Sequence, residues 1–418
     1  MHHGNVIDFL KERGVVDAMT HPELREAVEK PITLYCGFDP TADALHLGNF
    51  VALMGLKFFQ QFGHKPVVLI GGATGLIGDP SGKSSERPFL TLETVEKNIC
   101  GIRKSLDAIF GIGEYELVNN ADWVRGLSVI DFLREVGKEF RLGVMLSRET
   151  VKMRIETGEG MSFTEFSYPL FQAYDFYHLF SEKGVVLQTG GSDQYGNILA
   201  GVEFIRKKSG KSAFGLTLPL LVRSDGKKFG KSESGAVWLD ADKTSPYEMY
   251  QYLYNIPDAD TAQMMRMLTL FDNKEIDQWE KKLSSGTFVP GQAQKRLAEE
   301  VVRSIHGAAG LTSAQSATST LMTGSLNPDA LEEHAKTLPS VRFERSAVVG
   351  ASFIELGVLS GLFSSKGEGR KIVQGGGASL NNVKVDDIKK IIDTADLIRN
   401  RFVILGLGKK KKIVIVVH

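Results

Sequence analysis

The sequence has little cysteine and no excess of either charge. Among its 418 residues there are two cysteines, Cys36 and Cys100, and no C-x-x-C pair, which excludes a disulfide framework and a cysteine zinc site. Lysine plus arginine and aspartate plus glutamate number 50 each, so any contact with nucleic acid must come from local basic patches. Apolar runs stay well short of the roughly 18 residues of a membrane span, and the start does not resemble a signal peptide. We therefore expect a soluble, intracellular protein without membrane contact.

What is present is the composition of a globular chain with more than one domain. Hydrophobic residues make up 42% of the sequence and charged residues 24%, as in soluble globular proteins. A chain of this length is too long for one compact core, so we expect roughly two to four domains.

The stretch from Leu34 to Asn49 joins a short apolar strand to a helix through a loop with an unusual combination of side chains. Pro40 ends any regular structure within it. The apolar positions that follow predict a helix from His46 to Phe59, whose start offers free N–H groups and a positive dipole end to an anion. A histidine at that start, followed by Gly48 with no side chain, predicts a nucleotide site, although a lone histidine is also a common core residue.

A second apolar strand of four residues, 67–70, runs into a glycine-rich loop, which is typical of a parallel nucleotide-binding sheet. This loop ends in Gly82-Lys83-Ser84 and so resembles a phosphate-binding P-loop. A P-loop requires a glycine five positions before Gly82, where this chain has Ile77, and Pro80 interrupts the loop. We therefore reject the P-loop interpretation.

Polar side chains mark two later segments. Tyr168, Gln172 and Asp175 fall on one face of a predicted helix. A phenol, an amide and a carboxylate make a poor core stripe, but they suit the wall of a polar pocket because buried polar groups need partners. A third apolar strand then ends at Gln188 before a Gly-Gly-Ser-Asp-Gln loop, in which Asp193 fits an acceptor for ribose hydroxyls.

Four motifs, taken in order, resemble the tyrosyl-tRNA synthetase family of class I aminoacyl-tRNA synthetases. His46-Leu47-Gly48-Asn49 is similar to the H-I-G-H signature, and Gly78-Asp79-Pro80-Ser81-Gly82 is similar to G-D-P-S-G. Gly190-Gly191-Ser192-Asp193-Gln194 is similar to G-G-S-D-Q-W, with Tyr195 in place of tryptophan, and Lys228-Phe229-Gly230-Lys231-Ser232 is similar to K-M-S-K-S in its K-F-G-K-S form. The motifs are jointly specific, and the resemblance covers essentially the whole chain.

The resemblance implies an α/β fold, with a Rossmann-like parallel-sheet catalytic domain followed by an α-helical domain and a small α+β RNA-binding module. The implied boundaries are residues 1–240 for the class I nucleotide-binding catalytic domain, with a connective insertion at about 120–160, then 241–322 for the helical anticodon-side domain, 323–350 for a linker and 351–418 for the ribosomal-protein-like module. In this family the insertion forms a dimer interface. A homodimer that buries part of Phe132, Leu133, Val136 and Phe140 is therefore implied.

The resemblance also implies the reaction and the residues that serve it. L-tyrosine is activated with ATP and Mg²⁺ to tyrosyl-adenylate, and tyrosine is then transferred to the 3′ end of tRNA(Tyr), without a prosthetic group or a protein metal site. The residues implied for catalysis are Thr41, His46, Lys83, Arg87, Lys228 and Lys231. Those implied for binding tyrosine are Tyr35, Asp79, Tyr168, Gln172, Asp175 and Gln188. Those implied for binding ATP are Cys36, Gly37, Asp39, Gly48, Asn49, Gly191, Asp193, Gln194, Lys231 and Ser232. RNA contacts are implied for Lys366, Arg370 and Lys371, on two helices of the last module.

Two other functions fit parts of the pattern. A nucleotidyl transferase for another acid would share the fold, but it gives no reason for Tyr35, Tyr168, Gln172 and Asp175 to line one pocket. A catalytically idle protein that binds structured RNA would not need His46, Lys228 and Lys231. Lys83 and Arg87 also suit a solvated loop, and the run Lys409–Lys412 suits a solubilising edge as well as an RNA contact. Both a cytoplasmic location and a mitochondrion or plastid after presequence removal are compatible with the sequence.

Overall fold

The structure is a computed structural model of the chain. It describes residues 4–81, 90–158, 160–224, 229–232, 235–287, 289–322, 331, 338–408 and 411–418. The contacts divide the chain into two units, which we call the first unit (Met1–Asp240 and Ile256–Leu297) and the second unit (Ala241–Asn255 and Ala298–His418). Within the described ranges, none of the helices has both the length and the apolar composition of a membrane span.

The first unit is built on a mainly parallel sheet. Its strands are β1 Ala18–Met19, β2 Thr33–Phe38, β3 Lys65–Ile70, β4 Glu116–Asn119, β5 Val185–Gly191 and β6 Phe214–Leu218. In the described residues these strands have the order β1-β6-β5-β2-β3-β4, and all neighbours are parallel except β1 and β6. The chain runs outward from β2 in one direction and from β5 in the other, so the two strands flank a switch point, where such sheets bind ligands. A short hairpin of β7 Lys231–Ser232 and β8 Gly235–Ala236 follows.

Helices connect these strands and continue the chain beyond the sheet. In chain order they are α1 Val6–Glu12, α2 Leu24–Ala27, α3 Leu47–Gln61, α4 Leu92–Phe110, α5 Ala121–Val124, α6 Val129–Glu135, α7 Leu142–Leu146, α8 Glu149–Glu156, α9 Phe163–Lys183, α10 Tyr195–Ser209, α11 Pro246–Tyr254, α12 Asp258–Leu268, α13 Asn273–Ser285 and α14 Gln292–Met322. Single 3₁₀ turns lie at Thr74–Leu76, Gly137–Glu139, Ser192–Gln194 and Thr394–Asp396. Helix α14 is kinked at Gly307, whose φ of 69° is not helical.

Capping residues and the apolar pattern in the sequence explain where helices α3 and α9 form. These two helices matter most for the carboxyl ends of the strands, where such sheets bind ligands. Helix α3 begins after His46, whose side chain caps it, and it buries one apolar face that includes Phe50 and Leu53. Helix α9 begins after the N-cap Ser162 and ends at Gly184, which takes the left-handed conformation that glycine tolerates. The helix predicted from His46 to Phe59 is thus α3, and the predicted α/β fold with a Rossmann-like parallel sheet is confirmed.

The second unit is organised around an antiparallel sheet with one added parallel strand. Its remaining elements are β9 Ser340–Phe343, α15 Arg345–Val348, α16 Phe353–Leu359, α17 Lys366–Gln374, β10 Ala378–Leu380, β11 Val383–Val385, β12 Phe402–Leu407 and β13 Lys411–Val417. Among the described residues the strand order is β11-β10-β12-β13-β9, with β9 parallel to β13.

Both faces of this second sheet are covered. Along β12, Val403 and Leu405 pack in one core with the side chains of α16, whereas Phe402 and Ile404 pack in another core with Tyr247 of α11. Because side chains alternate along a strand, burial on both faces requires an unbroken apolar run, and β12 and β13 each have one.

The division into units differs from the predicted boundaries. The predicted helical domain 241–322 is split, because residues 256–297 belong to the first unit and the rest to the second. The predicted linker 323–350 contains strand β9, whose pairing with β13 is a long-range contact that its local composition does not reveal. One helix, α17, holds Lys366, Arg370 and Lys371, where two helices were expected.

Candidate functional site

A cavity of about 590 Å³ lies at the carboxyl ends of β2 and β5. It is lined by sixteen of the residues that the sequence singled out: Tyr35, Cys36, Gly37, Asp39, Thr41, His46, Gly48, Asn49, Asp79, Tyr168, Gln172, Asp175, Gln188, Gly191, Asp193 and Gln194. The predicted residues Lys83, Arg87 and Lys228 lie outside the described residues, and only the backbone of Lys231 and Ser232 is described, in β7. Lys366, Arg370 and Lys371 belong to the second unit.

Asp175 is the most buried carboxylate among the residues that line the cavity. Its side chain, on α9, is 2% exposed and accepts hydrogen bonds from the Asn120 Nδ2 (2.9 Å) and the Trp123 Nε1 (2.8 Å). Burial raises the pKa of the Asp175 carboxyl to about 7, although the two donated hydrogen bonds lower it. A buried carboxylate with two fixed donors can accept one further hydrogen bond from a ligand hydroxyl.

The Tyr35 hydroxyl lies beside this carboxylate without a hydrogen-bond partner among the described residues. Burial and the nearby Asp175 raise the pKa of the Tyr35 hydroxyl well above its usual range, so the group stays protonated and can donate. The Tyr35 ring is held against Phe176, with 5.3 Å between ring centroids. Because a buried hydroxyl without a partner is costly, this one is suited to a polar ligand atom.

Asp39 is held from two sides. It accepts a hydrogen bond from the Thr74 Oγ1 (2.7 Å) at one oxygen and from the Tyr168 hydroxyl (3.0 Å) at the other. Asn120 also donates to the Thr74 Oγ1 (3.0 Å) and accepts from the Ala73 N–H (2.7 Å). Asn120 therefore links the positions of Asp39 and Asp175.

A second set of polar side chains surrounds Asp79. Its carboxylate accepts from the Gln194 Nε2 (2.8 Å), and the Gln194 Oε1 accepts in turn from the Gln172 Nε2 (3.4 Å). The Oε1 atoms of Gln172 and Gln188 are buried, and the structure describes no donor for either. One carboxylate and two unpaired amide oxygens form a set of acceptors, which suits a ligand ammonium with its three donors.

His46 is oriented by the start of α3. Its Nδ1 accepts from the Asn49 N–H (3.2 Å), and the Asn49 Oδ1 accepts from the His46 N–H (3.1 Å). This reciprocal cap assigns the ring proton to the Nε2, which can therefore donate to an anion. The cap also uses the Asn49 oxygen and leaves its amide NH₂ for other contacts.

The first and last signature motifs meet at backbone level. A Cβ atom at Gly230 would lie 2.8 Å from the backbone nitrogen of Gly48, and the φ of Gly230 is 81°. Both its conformation and this close approach require glycine, so Gly230 is fitted against the start of α3.

Cys36 does not have the properties of a reactive thiol. Its side chain is buried, and burial raises the pKa of the thiol to about 12. The group is therefore neutral at physiological pH and can contribute a weak hydrogen bond and packing, but not a nucleophile.

Several residues of the site were not predicted from the sequence. Asn120 and Trp123 hold Asp175, and Asn197 donates to the Ser81 Oγ (3.1 Å) and accepts from the Arg148 Nη1 (3.0 Å). One signal was available, because Asn120 directly follows strand β4 and the carboxyl end of a parallel strand is where ligand groups collect.

Comparison with known proteins shows the family to which the chain belongs. Residues 26–323 match the family model described as tRNA synthetases class I (W and Y), and residues 330–415 match the tyrosine–tRNA ligase SYY-like C-terminal domain. The chain is 49% identical to the tyrosine–tRNA ligase of Protochlamydia amoebophila over 98% of both chains. It is 46% identical to the chloroplastic/mitochondrial tyrosine–tRNA ligase of Arabidopsis thaliana, covering 98% of this chain and 83% of that one. A C-terminally truncated mitochondrial tyrosyl-tRNA synthetase of Aspergillus nidulans is similar in structure, with a TM-score of 0.66 at 32% identity over 75% of this chain and 92% of that one.

The raised pKa of Asp175 predicts how ligand binding depends on pH. The carboxyl is mostly neutral below its pKa of about 7. The ionised form is the stronger acceptor for the phenol hydroxyl of tyrosine, the amino acid that the family uses. We expect the affinity for tyrosine, measured by calorimetry without ATP, to rise between about pH 6 and about pH 8, and to be independent of pH over that range in Asp175→Asn. An affinity of the wild-type protein that does not change over this range would contradict the assignment.

Proposed function

The chain belongs to the tyrosine–tRNA ligase family of class I tRNA synthetases, and we propose that it activates L-tyrosine with ATP and transfers the tyrosyl group to tRNA(Tyr). The observation that carries this proposal is that the buried Asp175 carboxylate and the Tyr35 hydroxyl, which has no hydrogen-bond partner among the described residues, line the same cavity. The relatives are named as ligases and give no support to an idle RNA-binding protein.

Tyrosine fits both the polar side chains around Asp175 and those around Asp79. Its phenol hydroxyl donates to Asp175 and accepts from Tyr35. Its ammonium group is bound by Asp79 together with the Oε1 atoms of Gln172 and Gln188, whose lack of a donor supports this role. Tyr168, predicted for the same group, donates to Asp39 and contributes through that contact.

The chemistry needs no covalent enzyme intermediate. An oxygen of the tyrosine carboxylate attacks the α-phosphorus of ATP, the bond to the β-phosphate oxygen breaks, and pyrophosphate leaves. The 3′-terminal ribose hydroxyl of the tRNA then attacks the tyrosyl carbonyl carbon, loses its proton, and AMP leaves. Catalysis consists of positioning and of stabilising charge that develops on the phosphates.

His46 lines the cavity and is proposed to contact that charge. Its Nε2–H can donate to a phosphate oxygen because the Nδ1 already accepts from the Asn49 N–H. Thr41, Lys83, Arg87, Lys228 and Lys231 are proposed to assist it. Cys36, Gly37, Asp39, Gly48, Asn49, Gly191, Asp193, Gln194 and Ser232 are proposed to bind the rest of ATP, which brings Mg²⁺ on its phosphates.

The proposed function is tested by ATP–pyrophosphate exchange with each amino acid in turn, without tRNA. We expect exchange with tyrosine alone. Asp175→Ala should raise the KM for tyrosine by at least about 100-fold and leave the KM for ATP within about twofold, because it removes an acceptor that only tyrosine uses. Asp107→Ala is the matched control, since Asp107 accepts from Tyr115 away from the cavity. No exchange with any amino acid would refute the proposal.

We also propose that the protein is a homodimer formed through its insertion. Large apolar side chains are exposed there: Val129 (75%), Ile130 (69%), Leu142 (67%) and Val144 (65%), and Phe163 (75%) follows directly at the start of α9. Of the residues first expected at the interface, Leu133 is half exposed, whereas Val136 is already buried within its own chain. An exposed set of this kind is typical of an interface between subunits.

Sedimentation equilibrium tests the dimer. The wild-type protein is expected at twice its chain mass, and the double variant Ile130→Asp, Val144→Asp at the mass of one chain. Ile112→Asp is the control, because Ile112 is 87% exposed but lies outside the insertion. A monomeric wild-type protein at micromolar concentration would count against this proposal.

Lys366, Arg370 and Lys371 are proposed to contact tRNA. All three are exposed on α17, although the Lys366 Nζ also pairs with the Glu355 Oε1 at 2.7 Å. Positive charges on one short helix can bind backbone phosphates of structured RNA.

The double variant Arg370→Glu, Lys371→Glu should weaken tRNA binding, most strongly at low salt, and leave tyrosine-dependent exchange without tRNA unchanged. Filter binding over a range of salt concentrations measures the effect. Lys11→Glu with Lys30→Glu is the matched charge reversal in the first unit. Equal losses of tRNA affinity in both double variants would show that only net charge matters.

The place of action is proposed to be a bacterial cytoplasm, with a mitochondrion or plastid as the alternative. Relatives of both kinds match the chain over nearly its full length.

A further inference from the structure

Trp123 and His178 form an aromatic stack next to Asp175, and neither is among the residues proposed to contact the substrate. The Trp123 indole donates its Nε1–H to the Asp175 Oδ1 at 2.8 Å. One face of the same indole lies on the His178 imidazole, with 4.4 Å between ring centroids and 19° between ring planes. We propose that His178 is a positioning residue, which holds Trp123 at the angle at which it donates to Asp175 and so sets the affinity for the phenol end of tyrosine. This inference rests on the proposed function.

The hydrogen bond that the Trp123 indole donates depends on its direction. An N–H donor loses most of its interaction energy when it is turned well away from its acceptor, so the rotation of the Trp123 ring matters as much as its distance. Trp123 lies on α5, a helix of only four residues, and its side chain is half-buried. A helix this short does not fix the ring by itself. The indole also packs against the core cluster that includes Tyr35 and Phe176, and the His178 ring on its face adds to that constraint.

Helix α9 carries both residues that contact the indole, Asp175 and His178. Asp175 and His178 are three residues apart, so they face the same side of the helix. One helix thus contacts the indole twice, with a carboxylate at the ring edge and a flat ring on its face. Sliding or tilting the indole would break one of the two contacts. This arrangement makes the orientation of Trp123 depend on the ring at position 178.

The protonation state of the His178 imidazole decides which side chains can replace it. Burial lowers the pKa of His178, with Glu182 acting in the opposite direction and Lys183 in the same one. The ring is therefore neutral at pH 7.5 and stacks through its flat face rather than as a cation. A neutral aromatic ring of similar width should replace it, whereas a side chain without a ring should not.

A merely structural role predicts a different result. If His178 only packed against the unit, its loss would lower thermal stability and change all kinetic constants of the remaining folded enzyme little. If it positions Trp123, its loss must act on tyrosine and not on ATP, since Asp175 contacts only the phenol.

The test is ATP–pyrophosphate exchange by the full-length protein with tyrosine, using His178→Ala and His178→Phe. We expect His178→Ala to raise the KM for tyrosine about threefold to tenfold, with kcat and the KM for ATP within about twofold. His178→Phe should restore the wild-type KM to within about twofold. His21→Ala is the control, because the His21 ring also packs on an aromatic ring, Phe214 at 6.4 Å, but does not line the cavity.

Thermal unfolding of each variant separates a loss of fold from a loss of positioning. If His178→Ala does not fold, His178→Gln takes its place with the same expected rise in KM. An unchanged KM for tyrosine in the ring-free variant, or the same rise in His178→Phe, overturns the inference. Failure of the wild-type protein to exchange with tyrosine would instead refute the proposed function, so the two failures are distinguishable.

Discussion

The site depends on one buried charge. Asp175 is almost completely removed from water, and a carboxylate in such a place is tolerated only if donors surround it. Asn120 and Trp123 supply two of these donors, and both come from the segment that follows β4. We propose that a ligand hydroxyl supplies the donor that the protein leaves out. On this proposal selectivity follows, because an analogue without the hydroxyl leaves both Asp175 and Tyr35 unpaired; tyrosine enzymes of this family are the standard example of this discrimination.

A different part of the cavity lining depends on a different constraint, which is close packing of the backbone. The backbone nitrogen of Gly48 lies so close to Gly230 that any side chain at Gly230 would collide with it. His46 is fixed by its reciprocal cap with Asn49. Asp175 and Tyr35, and also His46 and Gly48, line the same cavity of about 590 Å³. In the proposed reaction, tyrosine and the α-phosphate of ATP meet in that space.

Much of this could be predicted from the sequence because the signals are local. Tyr168, Gln172 and Asp175 fall on one face of a helix by spacing alone, and an apolar strand before a glycine-rich loop identifies a ligand end of a parallel sheet. Asn120 and Trp123 were missed because their role exists only once β4 has paired with β3 and α9 has crossed the sheet. Strand β9 was missed for the same reason, since its partner β13 lies about 70 residues further along the chain.

The most direct test of the central claim is equilibrium binding of tyrosine and of phenylalanine to the wild-type protein in the absence of ATP and tRNA. Isothermal titration calorimetry near pH 8 keeps Asp175 ionised. The account predicts that tyrosine binds and that phenylalanine binds at least about 100-fold more weakly, because two buried groups are then left unpaired. Comparable affinities for the two amino acids would contradict it.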